Sequence, residues 1–416
     1  MTVSERRLRR DIEANGQFGS VPDVDGHGRT VLTGSEPNGR ARDRLVSRLT
    51  EAGLEVTVDA VGNVVGRWVP DGADPSASAV ATGSHLDSVP TGGIFDGPLG
   101  VYGGLEAVRA LQGSDRDLRR PIEVVCFTEE EGQRFSNGLL GSSVATGRRS
   151  VSDALALEDD DGTTLEDALE HVGFRGEGRL DASEWNAWLE LHPEQGTVLE
   201  RQGAPAGIVT TITGITHCYL ELSGEADHAG STPMHDRIDA LAAASEIVLD
   251  LEAAAERLVT EESTSAVGTV GKADVSPNAT NVIPGTVDLG VDIRDVTSAS
   301  IETLVAELEA SASRVEGERA VEITLDRPYD IEPEPMADRC RSALRAGGDA
   351  AGVETVSMHS GAAHDTMNVA RVTDAGLLFA PSREGISHNP REWTDWEDCA
   401  AATSVLAEAL ARLAAE

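Results

Sequence analysis

The feature that most restricts this chain is a change of rhythm near Thr211. Before it, short apolar runs alternate with helical periodicity. Residues 79–83 read as a buried strand, 99–111 as a helix and 122–127 as a second strand. The acidic, glycine-containing stretch 153–185 reads as surface helices and loops, and strand character returns at 188–191. That alternation predicts an α/β domain, a mixed sheet flanked by helices, in which polar residues just after the strands gather at the carboxyl edge of the sheet.

After Thr211 the order is a strand (217–222), a long Ala-rich helix (236–258), two strands (266–274 and 286–294), a helix (298–313) and a last strand (321–325). This β-α-β-β-α-β order is that of a ferredoxin-like unit. The α/β character resumes at 377–380 and in the amphipathic helix 395–413, so the unit reads as an insertion. The expected organisation is a catalytic domain in two parts, 1–210 and 327–416, around an inserted α+β lid or dimerisation domain at 211–326. The Pro-rich stretch 326–335 is expected to be the return linker, with hinges near 203–207 and 328–335. With 416 residues, 40% of them hydrophobic, the chain is long enough for two cores.

Charge removes whole classes of function. The 72 acidic residues against 34 basic ones leave a formal charge of −38, which repels nucleic-acid phosphates and anionic lipid. No apolar run reaches the ~20 residues that cross a bilayer, and a cytoplasmic location is expected. The lone lysine, Lys272, lies in Gly271-Lys272-Ala273, which is no phosphate loop. So acidic and Lys-poor a surface suits a halophilic protein that must stay hydrated in a salty cytoplasm. The four cysteines (Cys126, Cys218, Cys340, Cys399) form no C-x-x-C pair, so metal ligands would have to be His, Asp and Glu.

Three histidines follow or flank apolar strands beside carboxylates. They are His85 in Gly83-Ser84-His85-Leu86-Asp87-Ser88, His192 in Leu191-His192-Pro193-Glu194 and His388 in Ile386-Ser387-His388-Asn389-Pro390. Asp96 stands in a Gly-rich loop, and Glu129-Glu130-Glu131-Gly132 follows the strand ending at Phe127. A single His-x-Asp is usually an ordinary core or surface pair, and an acidic triplet in so acidic a chain is usually a solvated face. Their joint placement after strands, among glycines that let the backbone approach an ion, favours a site for divalent cations.

Several segments carry a family resemblance: 83–104, Phe127-Thr128-Glu129-Glu130-Glu131-Gly132-Gln133-Arg134-Phe135, Leu191-His192-Pro193-Glu194-Gln195-Gly196, His228-Ala229-Gly230-Ser231-Thr232-Pro233-Met234 and Ser360-Gly361-Ala362-Ala363-His364-Asp365. In order and over nearly the whole chain they resemble the hydantoinase/carbamoylase amidases. These are the N-carbamoyl-L-amino-acid hydrolase, β-ureidopropionase and allantoate amidohydrolase branch of the two-zinc aminoacylase and carboxypeptidase superfamily. The resemblance implies two divalent metal ions per subunit (Zn, or Mn, Co or Ni). One would be held by His85, Asp96 and His192 and the other by Asp96, Glu131 and His388, with Asp96 as the bridge. Asp87 would then accept the imidazole N–H of His85.

It further implies that Glu130 is the general base, taking a proton from the water that attacks the ureido carbonyl and returning it to the leaving nitrogen. The products would be an amino acid, carbon dioxide and ammonia. His228 would donate to the developing oxyanion, provided that the inserted domain closes or a neighbouring subunit of a homodimer supplies it. Arg294 resembles the group that grips the substrate carboxylate, against the alternative of a surface ion pair with Asp292 or Asp295. Asn281, Gln195 and, more weakly, His217 resemble polar contacts of the same pocket. Gly361, His364 and Asp365 would border it, while Cys126 and His27 read as structural. Two other readings stand beside this one. An aminoacylase or dipeptidase would share all five ligands, but the Gln133-Arg134-Phe135 and 361–365 motifs favour the carbamoylases. A silent metal-binding scaffold would have no chemical need for an unligated Glu130.

Overall fold

The computed structural model describes all 416 residues, and the chain divides into two compact units. One comprises Met1–Thr210 with Met336–Glu416, the other Thr211–Pro335.

The first unit is built on a mixed sheet. Its strands lie in the order Glu55–Val58, Val64–Trp68, Ile122–Phe127, Val80–His85, Ala187–Pro193, Ala375–Ala380 and Ala206–Ile212, and the last also pairs with Thr355–Ser360 and with the short Glu334–Pro335. The four central strands run parallel. Each is buried along its whole length, as expected where helices cover both faces of a sheet. The registers His85↔Phe127 and Phe379↔His192 bring their carboxyl ends to one edge. The chain then leaves directly into the 86–97 loop, the 128–139 loop and Glu194.

Helix Pro98–Gln112 packs on the central strands so closely that a Cβ at Gly100 would lie 2.3 Å from the Leu191 carbonyl oxygen. It opens at Gly97, whose φ of +80° is left-handed and whose Cβ would press on the His85 ring at 2.7 Å, so glycine is required there. Helices Asp338–Ala351 and Trp396–Ala414 pack against each other. The latter also packs on Pro98–Gln112 and extends the core with Cys399, Val405, Leu406 and Leu410.

The second unit is a four-stranded antiparallel sheet in the order Glu322–Ile331, Gly214–Ser223, Thr286–Asp295 and Val267–Ser276. Helices Ala240–Glu261 and Ser298–Arg319 cover it, giving the β-α-β-β-α-β order. Val287, Leu289, Val291 and Ile293 alternate inward to meet Ile247, Leu251, Leu304 and Leu308.

The stretch 326–335, expected to be a linker, departs from expectation. The strand runs on to Ile331, pairing Tyr329↔His217, Asp330↔Thr216 and Ile331↔Ile215, and the second unit ends at Pro335. Pro328 is tolerated because the register shifts between Asp326 and Tyr329, where a missing N–H breaks no ladder bond. Gly207 lies inside a strand, Ala206–Ile212, and pairs with Phe379, whereas Gly203, with a left-handed φ of +64°, ends helix Val198–Gln202 and residues 204–205 connect the helix to that strand.

Candidate active site

Four loops at the carboxyl edge of the sheet converge on Asp96, which is buried. Its two oxygens face different partners. Oδ1 lies 3.4 Å from His85 Nε2 and 3.1 Å from His192 Nε2. Oδ2 lies 3.3 Å from His388 Nε2, which in turn lies 3.3 Å from Glu131 Oε2. The sets His85–Asp96–His192 and Asp96–Glu131–His388 each bring their ligand atoms within 4.8 Å of one another. His85, Glu130 and Glu131 form a third such set.

The tautomers are set by carbonyls. His85 Nδ1 donates to the Asp87 main-chain oxygen at 3.2 Å and His192 Nδ1 donates to that of Pro193 at 3.1 Å. Both rings therefore present an unprotonated Nε2 to the cluster when neutral. The expectation that the Asp87 carboxylate takes the His85 proton is corrected here, because Asp87 Oδ1 stands 3.7 Å from Nδ1 and makes no hydrogen bond. Asp87 Oδ2 instead accepts the Glu131 N–H at 3.1 Å.

Electrostatics follow from burial. Burial works against ionising Asp96, but His192, His388 and His85 override it and hold the carboxyl well below its usual range. The His85 ring is driven well above its usual value because Glu130, Asp96 and Asp87 outweigh its desolvation. Burial, reinforced by Asp96 and opposed by His85 and His388, pushes Glu131 up to about 7. The hydrogen bond to Asp96 is the main cause lifting His388 to about 9. Desolvation also raises Glu130 well above the ordinary carboxyl range, while nearby His85 pulls it back. Its Oε2 is 3.6 Å from His85 Nε2.

Divalent cations fit this donor set. His85 Nε2 and Glu131 Oε1 are buried with no hydrogen-bond partner, which is costly unless an ion takes those lone pairs. Imidazole and carboxylate donors suit Zn, Mn, Co or Ni.

The other expected residues divide between the units. Gln195 Nε2 donates to Asp96 Oδ2 at 3.4 Å, placing it beside the cluster. His364 is buried, edge-on to the His192 ring with centroids 4.5 Å apart, and its Nε2 meets Ser360 Oγ at 3.2 Å. Gly361 is exposed and precedes it by three residues. Asp365 is buried at the start of helix Asp365–Val369. The His27 ring lies tilted against Trp393 with centroids 5.4 Å apart, and Cys126 is buried.

His228, Asn281, Arg294 and His217 belong to the second unit. His228 Nδ1 accepts the N–H groups of Gly230 and Ser231 at 3.0 and 3.2 Å, so in the neutral ring the proton sits on Nε2. A bridge between His228 and Val282 sets it next to Asn281, whose carbonyl accepts the Ala229 N–H. Arg294 makes two bonds of 2.9 Å to Asp292, which also meets His217 Nε2 at 3.1 Å. That is one of the two ion pairs weighed from sequence.

Sequence reasoning passed over Arg29 and Glu392. Arg29 is buried and donates to the carbonyls of Gly93, Leu86, Asp87 and Asp96. Glu392 Oε1 accepts the N–H groups of Phe95 and Asp96 at 3.0 Å each. Only the Glu four residues beyond His388 gave any local signal.

The sequence matches Peptidase family M20/M25/M40 over residues 81–412. The chain belongs to this family, in its hydantoinase/carbamoylase amidase branch. Within that branch it is 38% identical over 418 residues to the N-carbamoyl-L-amino acid amidohydrolase of Geobacillus stearothermophilus, covering 100% of this chain and 99% of that protein. It is 36% identical to the N-carbamoyl-L-amino-acid amidohydrolase of Paenarthrobacter aurescens, covering 96% of each. The crystal structure of a hydantoinase/carbamoylase family amidase from Burkholderia multivorans superposes with a TM-score of 0.94 at 35% identity, over 100% of this chain and 99% of that one. The α/β fold of the first unit is therefore the metallopeptidase-like fold of this family.

Proposed function

We propose that this chain hydrolyses the C–N bond of an N-carbamoyl-L-amino acid or a related ureido acid, giving the amino acid, carbon dioxide and ammonia. The observation that carries the reading is the two-sided Asp96. One carboxylate oxygen faces His85 and His192 while the other faces His388 and Glu131, as a bridge between two cations requires. The names carried by the Geobacillus and Paenarthrobacter relatives support the substrate class.

His85, His192 and Asp96 would hold one cation, and Asp96, Glu131 and His388 the other. When bound, such cations lower the pKa of water from ~15.7 toward ~7 and polarise the scissile carbonyl. Glu130 takes the water proton, and burial, which raises its carboxyl well above the ordinary range, makes its carboxylate a stronger base. It then delivers the proton to the leaving nitrogen. His228, with its proton held on Nε2 by Gly230 and Ser231, donates to the developing oxyanion, a contact worth ~2.7–4 kcal/mol. It acts from this subunit's second unit in a closed state, or from a partner in a homodimer. Arg294 takes the substrate carboxylate, with Asn281, Gln195, His217, Gly361 and His364 as further pocket contacts.

The test is ammonia release from N-carbamoyl-L-amino acids, N-carbamoyl-β-alanine, allantoate and N-acetyl amino acids after dialysis against a chelator and addition of Zn, Mn, Co or Ni. Turnover of ureido acids restored by metal supports the proposal. Full activity in protein shown by elemental analysis to be metal-free overturns it, and a preference for N-acetyl substrates moves the chain to the aminoacylases.

A further inference from the structure

The backbone of Asp96 is gripped from both sides by residues distant in sequence. The Arg29 guanidinium spends its donors on main-chain carbonyls at both ends of the 86–97 loop, which follows His85 and carries Asp96: Leu86 at 3.1 Å and Asp87 at 3.5 Å, Gly93 at 2.8 Å and Asp96 itself at 3.1 Å. From the opposite direction Glu392 Oε1 accepts the N–H groups of Phe95 and Asp96, and its Oε2 accepts from Ser387 Oγ at 3.3 Å. The same Ser387 hydroxyl lies 2.9 Å from Asp96 Oδ2.

The approach is tight enough to exclude a side chain, since a Cβ on Gly93 would lie 2.3 Å from Glu392 Oε1. The N-terminal loop is tied down in turn. Arg29 N–H donates to the Gly92 carbonyl at 2.9 Å, and His27 N–H donates to the Pro390 carbonyl at 2.6 Å. Burial lowers the pKa of this guanidinium, bonded as it is to neutral carbonyls, and the charges of Glu392, Asp96, Asp87 and Glu131 oppose that shift.

We infer that Arg29 and Glu392 are positioning residues that act as one brace across Asp96, fixing the carboxylate so that its two oxygens divide between two cations. The inference rests on the metal-site reading above. A planar fork spanning four carbonyls cannot be replaced by an ammonium, which is a point charge with no fixed donor geometry. Arg29→Lys therefore separates geometry from charge, because the local cation is retained. Glu392→Gln keeps the size and an acceptor oxygen but removes the carboxylate that answers Arg29.

Zinc and manganese affinity should be measured on the full chain by competition with a chromophoric chelator, alongside thermal melts and kcat at saturating metal. Outer partners of metal ligands typically govern affinity by 10- to 100-fold. Both variants should weaken binding by at least about tenfold in that range, while kcat at saturating metal recovers to within a few-fold of the unaltered protein. Affinity within twofold of the unaltered protein, with only a lower melting temperature, would make the pair a purely structural pin and overturn the inference. If Arg29→Lys does not fold, Glu392→Gln decides alone by the same criteria. If the unaltered protein binds no metal, the metal reading itself fails and the brace falls with it. Metal bound normally by both variants sinks the brace alone.

Discussion

The carboxylate of Asp87 accepts the backbone N–H of Glu131 at 3.1 Å, joining the loop after the strand Val80–His85 to the loop after Ile122–Phe127. Asp87 thus anchors Glu131 in the loop after the neighbouring strand with its carboxylate, while its carbonyl orients His85 at the end of the strand that precedes it.

Asp87→Ala is accordingly expected to loosen Glu131 while leaving the His85 tautomer intact, because the main-chain carbonyl survives the change. Metal affinity should fall about 10- to 100-fold, read by chelator competition. An affinity unchanged within twofold would show that Glu131 needs no such anchor.

Glu130 and Glu131 adjoin in sequence but are proposed to differ in task. Glu130→Gln should retain bound metal, by elemental analysis, and lose several orders of magnitude in kcat, as expected for an essential acid–base group. Glu131→Gln should also weaken one of two metal equivalents. Equal metal content with comparable activity in the two variants would refute the assignment.

In the metal-free protein His388 is lifted to about 9, chiefly by its hydrogen bond to Asp96. Below that pH the ring carries a proton that an incoming cation must expel, so apparent metal affinity should rise up to roughly tenfold per pH unit between about 7 and 9, then level off. The sign is opposite for the metal-free fold. A raised pKa contributes stability that is complete below the ordinary value of about 6.5 and is lost as pH rises through 9. Calorimetric titration of metal at pH 7, in buffers of different ionisation enthalpy, should report release of roughly one proton from this group. Release of none would remove His388 from the ligand set.

Arg294 and Asp292 pair through two bonds of 2.9 Å, so the guanidinium that would grip a substrate carboxylate already stands beside one. Arg294→Ala should lower kcat/KM for carboxylate substrates by roughly ten- to a hundredfold, the ~1.5–3 kcal/mol of a charge-assisted bond. It should raise KM and lower kcat together, because the same contact would bring up the His228 donor. An amidated substrate should suffer a similar loss with the unaltered enzyme and little more with the variant. A kcat/KM untouched by the substitution would leave Arg294 with the ion pair alone.

Much of this was legible in one dimension because it is local. Period-2 and period-3.6 hydrophobic patterns follow from strand and helix geometry, so the strand Ile122–Phe127 and the order of elements in the second unit could be read directly. His85, His192 and His388 stood out by lying after or near apolar strands and Asp96 by its Gly-rich loop, while only the family resemblance singled out Glu131 from the run 129–131. Element ends were less legible, because pairing partners decide them. Residues 326–331 have a proline and charges that suggest a linker, yet Tyr329, Asp330 and Ile331 find His217, Thr216 and Ile215 across the sheet.

The amino-acid sequence by itself determined the α/β rhythm and the β-α-β-β-α-β order of the second unit, since each depends on residue type and short spacing, and through its family resemblance it nominated the candidate ligand side chains. Only the tertiary structure decided which oxygen of Asp96 meets which histidine, and that the Asp87 carbonyl orients His85 while its carboxylate holds Glu131. It alone showed that Arg29 and Glu392 close on the same backbone. Phe95 and Glu392 are 297 positions apart, and no periodicity or local propensity links them. Hydrogen-bond partners at that separation are chosen by packing, where a buried charge must find the acceptors and donors that the folded chain places around it.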